Sequence, residues 1–535
     1  MWCVCVLLCL LHACAGSKVL VVFPVPSRSH TILGDSLVTT LLEAGHEVTY
    51  ASPQSAVAST AALTRIDIGS IADTITGSLT FFFLVRNPRP PQRVLEVGTT
   101  FAQRALNHDA MKVMLQDPDQ TFDVVIAEWF FTGLLAPLAS LYECPLVWYS
   151  SVDASWMNLQ LVHGQTNPAY VADLQARRMA AAPHSLRDRL DRLRDQAYLT
   201  VWVYYMTYYV EASAYREIYR NPLQLRGRYP PNYEDLVYNA SMLLINSHPL
   251  LGQTQALPAN TKYVGGHHIE VPTKPLPKNF QKLLDRSKNG VIFFSLGSNV
   301  KSKDLPDYMK MQLLDVFQQL EQTVIWKFEE PLDNLPSNVH IEKWAPQTSI
   351  LSKIFFFFSV KFVEVVERFL CLSDHSNTVL FITHGGFMSY TEATYFGVPI
   401  IGIPIFADQF LTTDLAAARG RGIRVGFTDY LPYKIKAAVN EILGNYKYKC
   451  NAKKASAIFQ NQLVSPQKEL LHWIELVMNH GADHLRSPAL QLTTFERLHL
   501  DIVAVILMFL WLLFKVWKVL KVHWNPEVGA DKKGQ

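Results

Sequence analysis

Residues Phe381–Gln409, FITHGGFMSYTEATYFGVPIIGIPIFADQ, join a short apolar run to the turn His384-Gly385-Gly386 and then to a stretch with helical spacing. That order predicts a strand, a glycine turn and a helix N-terminus, the repeating pattern of an α/β sheet. Glycines let the backbone approach a ligand closely, and the unpaired N–H groups and dipole of the first helical turn favour an anion such as phosphate. A second apolar run, Val398–Phe406, ends at Asp408 and Gln409, two hydrogen-bonding side chains placed where a parallel strand meets its loop. Ligands of open α/β sheets collect at those strand ends. Taken alone, a His-Gly-Gly turn fits a helix cap equally well.

The same unit opens the chain. Lys18 onwards, an apolar strand Val19–Phe23 meets a loop containing Pro and Ser, a helix predicted over Thr31–Ala44, and a second strand that ends at Tyr50. This is a βαβ unit, with His30 in the first βα loop at the carboxyl end of strand one. A loop histidine is either solvated or functional, and position alone leaves both open. Phe122–Ala127, FDVVIA, predicts a further buried strand followed by Glu128, which reads as a strand-end acid facing water or as a partner for a charged group. Leu146–Ser150 repeats the strand pattern. Gly290–Ser298, GVIFFSLGS, is another strand and βα loop, with Ser295, Gly297 and Ser298 placed like phosphate-loop residues.

With 535 residues the chain is too long for one core and predicts two domains plus accessory segments. A net charge of +3 without a basic stripe argues against nucleic acid. Met1–Ala15, MWCVCVLLCLLHACA, has the length and small-x-small ending of a signal peptide, which predicts a secretory lumen. Four of the seven cysteines lie in it, leaving Cys144, Cys371 and Cys450, which make neither a disulfide framework nor a zinc spacing. Asn239-Ala240-Ser241 is a sequon for N-glycosylation. Arg187–Tyr209 turns from a charged helix face into a run of Tyr, Trp and Val. That second half reads as core, as an aromatic wall for an apolar ligand, or as a patch against a bilayer. Tyr430–Asn461 and Leu470–Met478 read as helical. Leu498–Leu520 is long enough to span a membrane if Lys515, Lys518 and Lys521 snorkel, and those lysines predict a cytoplasmic tail. Lys532-Lys533 near the end resembles a retrieval signal of endoplasmic reticulum membrane proteins.

Trp344-Ala345-Pro346-Gln347, His384-Gly385-Gly386 and Asp408-Gln409 together resemble the donor signature of the UDP-glycosyltransferase family, in particular its UDP-glucuronosyltransferase-like invertebrate branch. The resemblance runs from about Lys18 to the C-terminus. It implies an α/β chain of GT-B fold, two Rossmann-like doubly wound domains facing across a cleft, plus one C-terminal transmembrane helix. The segments expected are a signal peptide (1–15), an acceptor-binding domain (16–250), a linker (251–278), a UDP-sugar-binding domain (279–490), a transmembrane helix (498–520) and a tail (521–535). By resemblance His30 is the general base and Glu128, where the family usually has Asp, supports its charged form. Trp344 stacks on uracil, Gln347 bonds the nucleoside, and Glu392 holds the ribose hydroxyls. Ser298, His384, Gly386 and Ser389 lie on the diphosphate, and Asp408 and Gln409 on the sugar. Met388 and Thr412 depart from commoner patterns of the family.

The resemblance further implies an inverting transfer of a hexose from a UDP-sugar, used as co-substrate, to small lipophilic hydroxyl compounds, with no permanent cofactor and no metal. UDP-glucose is the expected donor and UDP-glucuronate the alternative. The expected setting is the endoplasmic reticulum membrane, single-pass type I with lumenal catalytic domains and contact with membrane lipid; homo-oligomerisation stays open. One departure is large. From Gln347 to His384 is 37 positions, whereas the family pattern leaves about 15, so roughly 22 residues, about 352–373, are extra. Their composition, SKIFFFFSVKFVEVVERFLCLS, is aromatic and β-branched, and both edges can be encoded as splice-site sequences. A retained intron or gene-model error is expected, with a lineage-specific loop as the alternative. A catalytically impaired UDP- or lipophile-binding homologue is the rival function.

Overall fold

The computed structural model describes residues 16–72, 92–162, 171, 185–352, 377–497 and 499–524. The signal peptide, the inserted residues from Lys353 onward with Cys371, and the terminal lysine pair lie outside the described residues.

Two parallel sheets form the scaffold. The first has the order β3-β2-β1-β4-β5-β6-β7, from β1 (Lys18–Val22), β2 (Glu47–Ser52), β3 (Leu63–Asp67), β4 (Val124–Trp129), β5 (Leu146–Ser150), β6 (Met242–Ile245) and β7 (Thr261–Tyr263). The second runs β10-β9-β8-β11-β12-β13, from β8 (Val291–Ser295), β9 (Thr323–Lys327), β10 (Val339–Glu342), β11 (Thr378–Thr383), β12 (Ile400–Gly402) and β13 (Gly422–Arg424). Both are doubly wound, and in each the chain reverses direction beside its first strand, between β1 and β4 and between β8 and β11. Crevices at those reversals are where such sheets bind ligands. The strands read as apolar runs because helices cover both faces; Val19, Val21, Val124 and Ile126 are wholly buried on one side of the first sheet, and Leu20, Val22, Val125 and Ala127 on the other.

Several expectations are corrected. The helix after β1, α1, spans Arg28–Glu43 and starts three residues early, so His30 lies in its first turn and not in the loop. β4 continues through Glu128 and Trp129 because the ladder to β5 continues there, Glu128 opposite Tyr149 and Trp129 opposite Ser150. Glu128 is therefore inside the sheet and fully buried. The run 398–406 forms only the short β12, since the Pro404-containing stretch after Gly402 leaves the ladder. Tyr430–Asn461 is two helices, Leu431–Gly444 and Lys447–Gln460, parted at Asn445. The stretch 251–278 contains β7, the edge strand of the first sheet, so it is more than a linker.

The helix α2 (Arg93–Asn107) packs against the π-turn Met206–Glu211, through which α3 (Leu186–Tyr205) runs into α4 (Ala212–Leu225). Tyr204, Tyr205, Tyr208 and Tyr209 are exposed, while Leu199 and Met206 are buried and Trp202 and Val203 pack against the core, so the aromatic run is core on one face only. The helix α5 (Gln347–Leu351) precedes the expected insertion; α6 (Phe387–Phe396) and α7 (Gln409–Ala418) follow β11 and β12. α8 (Pro466–His480) crosses back: its Leu470, Ile474 and Val477 are buried in the cluster built on β1 and β4, away from the second sheet. α9 (Leu500–Trp524) starts two residues later than the predicted span, and its Leu500–Lys521 stretch is long and apolar enough to cross a membrane.

Candidate active site

A cleft of about 970 Å³ opens between the two sheets' carboxyl ends, and residues of both halves line it. On the first half, β1 and β4 flank the reversal and deliver the two expected catalytic side chains to one point. His30 Nδ1 is hydrogen-bonded to Glu128 Oε1. The ring of Phe130 stands edge-on to that of His30, centroids 5.3 Å apart, and Phe101 stacks against Phe130. With Val94, Val97 and Phe131 they give this side of the cleft an apolar wall. The second oxygen of Glu128 is buried without a hydrogen-bonding partner among the described residues. The partner of the buried carboxylate is thus an imidazole that lines the cleft.

On the second half, the loops after β8 and β11 meet at the other reversal. Gly297 takes φ 87° and Gly385 φ 81°, conformations that leave room for a side chain only at a cost in strain. A Cβ on Gly297 would also fall 2.6 Å from Cε1 of His384, so the glycine is what lets the imidazole lie against the β8 loop. Burial, aided by the charge of Lys327, lowers His384 to about 4, and it is neutral at physiological pH. Gly386 is the N-cap of α6. Asp408 Oδ2 accepts from the backbone N–H of Phe387, the first residue of that helix, at 2.8 Å. Burial raises Asp408 to about 6, against the opposing pull of the Phe387 N–H and the charge of His30 across the cleft.

Three of the remaining expected residues form one hydrogen-bonded group. Gln347 Nε2 donates to Glu392 Oε2 at 2.6 Å and to Ser389 Oγ at 3.1 Å. Trp344 is half exposed at the rim, and Ser298 is exposed in the β8 loop. Gln409 is buried, and its carbonyl oxygen accepts from the backbone N–H groups of Ile405 and Phe406, so only its amide group has hydrogen-bonding capacity to offer a ligand. Thr412 donates its one hydroxyl proton to the backbone carbonyl of Gly385, with the carbonyls of Asp408 and Gln409 also within reach, tying the glycine turn to α7. Met388 packs against the first half.

Five residues of the cleft and its rim escaped the sequence reading. Lys327 ends β9, with Nζ 3.0 Å from Gly297 O and 2.8 Å from Glu329 Oε1, and brings a cation beside His384. The rule applied to Asp408, a polar residue closing a parallel strand, would have found it. Arg28 stacks over Trp344 at 4.6 Å and Ser27 Oγ donates to Asn299 Oδ1 at 3.1 Å, both across the cleft. The fifth, His268, lies against Glu392. Contacts between distant segments leave no local pattern to read. Among the described residues no group of three His, Cys, Asp or Glu could hold a metal ion.

The family model described as UDP-glucoronosyl and UDP-glucosyl transferase matches residues 91–354 and 370–534, and its break, 355–369, falls inside the expected insertion. UDP-glucosyltransferase 2 of Dactylopius coccus is 27% identical over 97% of this chain and 96% of its own length. An ecdysteroid UDP-glucosyltransferase of Spodoptera littoralis nuclear polyhedrosis virus is 26% identical over 91% of this chain and 93% of its own. UDP-glucuronosyltransferase 2B16 of Oryctolagus cuniculus is 29% identical over 79% of this chain and 75% of its own. Among solved structures, a UDP-glucosyltransferase from Polygonum tinctorium superimposes with a TM-score of 0.53 over 87% of this chain and 99% of its own at 14% identity. At that identity the likeness shows the fold, which is GT-B.

Proposed function

The chain belongs to the UDP-glycosyltransferase family, and from that premise we propose an inverting hexosyl transfer from a UDP-sugar to the hydroxyl of a small lipophilic acceptor. The observation that carries the reading is the His30–Glu128 pair, whose histidine stands in the cleft wall with the carboxylate buried behind it. With Nδ1 turned to Glu128, Nε2 of His30 takes the acceptor's proton, and the buried carboxylate stabilises the imidazolium that forms. The acceptor oxygen attacks the anomeric carbon as the bond from that carbon to the UDP oxygen breaks. Charge developing on the leaving diphosphate is met by Lys327, Ser298, neutral His384 and backbone N–H groups at the α6 terminus. Trp344 and Gln347 hold the base, Glu392 the ribose, and Asp408 and Gln409 the sugar.

The apolar wall of Phe101, Phe130 and Phe131 suits a flat or steroidal acceptor. UDP-glucose is favoured because the relative that covers nearly the whole chain is named a glucosyltransferase; UDP-glucuronate is the alternative, supported by the rabbit relative's name. We place the protein in the endoplasmic reticulum membrane, anchored by α9, with the catalytic halves lumenal. Incubating microsomes that carry the chain with radiolabelled UDP-glucose or UDP-glucuronate and a panel of phenols tests this. Label transferred to a phenol from one donor is the expected result; tight UDP binding without transfer from either donor would turn the assignment toward a non-catalytic binding protein.

A further inference from the structure

Two neighbouring side chains at the start of α1 reach across to the second half. A serine at the N-cap of a helix ordinarily accepts from the N–H groups of the first turn. Ser27 holds that position and makes no such bond; its hydroxyl is turned outward and donates to Asn299 Oδ1 in the loop after β8 at 3.1 Å. With that proton engaged, the 3.1 Å contact between Ser27 Oγ and Ser29 Oγ has Ser29 as donor.

Arg28 follows as the first residue of the helix and lays its guanidinium over the ring of Trp344, Cζ 4.6 Å from the centroid. A planar, weakly hydrated cation suits the face of an indole both by charge and by shape. Trp344 lines the cleft and Arg28 does not, so the guanidinium meets the ring from outside and the cleft side is left to a ligand. The ring is half exposed. An indole so little packed is free to turn about its two side-chain torsions, and a base that stacks on it must first order it. Contact on the outer face removes part of that cost before the base arrives.

We propose that Arg28 is a positioning residue of the donor site, which holds the Trp344 ring from outside the cleft in the orientation on which uracil stacks. The proposal deepens the reading of Trp344 as the uracil platform and rests on it. It also makes the first half a contributor to nucleotide affinity. His30 is the third residue of the same helix, so one helical turn sets both the imidazole that takes the proton and the ring that holds the nucleotide.

Titration of the detergent-solubilised full chain with UDP and with 5,6-dihydro-UDP, whose saturated base is puckered and stacks poorly, tests it. The wild-type protein should prefer UDP, and Trp344→Ala should erase the preference. Arg28→Ala should weaken UDP by roughly two- to fivefold, the worth of an exposed cation–π contact, and leave 5,6-dihydro-UDP nearly unchanged. In the Trp344→Ala background the same substitution should cost nothing further, because the two residues act as one unit. Wild-type preference for UDP with equal weakening of both nucleotides in Arg28→Ala, or with none, overturns the proposal alone. So does a loss that recurs undiminished when Trp344 is alanine, which would make Arg28 a charge acting directly on the diphosphate. Wild-type binding of both nucleotides with equal affinity takes uracil off Trp344 and overturns the proposal together with that part of the donor-site reading.

Discussion

Asp408 caps the helix that begins at Phe387: its Oδ2 accepts the backbone N–H of that residue at 2.8 Å, from a loop twenty-one residues further along the chain. The carboxylate thus stands at the positive end of α6, beside the turn expected to receive a diphosphate, and facing the His30 side of the cleft.

Its titration follows from that position. Burial raises Asp408 from 3.8 to about 6, so the folded chain binds the proton more tightly than the unfolded one. The sign is that of a raised acid: stability carried by this group is greatest at low pH, falls as pH rises through the window from 3.8 to about 6, and is constant above it. Asp408→Asn keeps an oxygen for the Phe387 N–H and removes the titration. Its melting temperature should gain on that of the wild type across that window and run parallel to it above. Parallel curves throughout would mean that the carboxylate titrates normally.

His30→Ala should lower turnover by roughly 10² to 10⁴ while UDP binding, measured by calorimetry, stays nearly intact, because the donor residues lie on the other half. Glu128→Gln, which keeps the hydrogen bond to Nδ1 and loses the charge, should cost less than His30→Ala. Equal loss of turnover and UDP affinity in His30→Ala would make the histidine structural.

Gly297→Ala should destabilise the fold by about 1–3 kcal/mol from the left-handed backbone alone, and should weaken UDP as the new methyl pushes His384 aside. Gly426→Ala, where a Cβ meets nothing within 4 Å, is the control. Urea unfolding and UDP titration of the two variants check the contrast; similar behaviour would sink the close-approach argument.

Residues 352–373 stretch a nucleotide signature whose two parts, Gln347 and Glu392, are 2.6 Å apart in space. Sequencing the mature message is expected to find this stretch spliced out, and a chain lacking it should bind UDP at least as tightly as the full one. Message that uniformly retains it, together with an active full-length enzyme, would establish it as part of the protein.

The repeating strand, turn and helix of each half was legible because a parallel sheet covered on both faces needs continuous apolar strands, and Leu146–Ser150 matches its strand residue for residue. Glu128 was harder to place. An apolar run is read as ending at its first charge, but the ladder follows backbone pairing and ignores side-chain polarity, so the strand went on through the acid. Ten of the eleven expected site residues line the cleft; the exception, Glu128, lies behind His30 and reaches the cleft through it. Arg28 and His268 were invisible because their partners, Trp344 and Glu392, are set by how the halves face each other, and no spacing records that.

The crossing of α8 has a consequence for how the chain is made. Leu470, Ile474 and Val477 complete the packing on β1 and β4, and Glu475 reaches His46 at 3.5 Å. The half that leaves the ribosome first therefore keeps an uncovered apolar face while the entire second sheet is synthesised, and receives its cover only just before the anchor helix α9 emerges. Translation order and completion order are reversed: the first half begins first and closes last. Any stop between β13 and α8 would leave the strands of the second sheet complete, joined to a first half still without its cover.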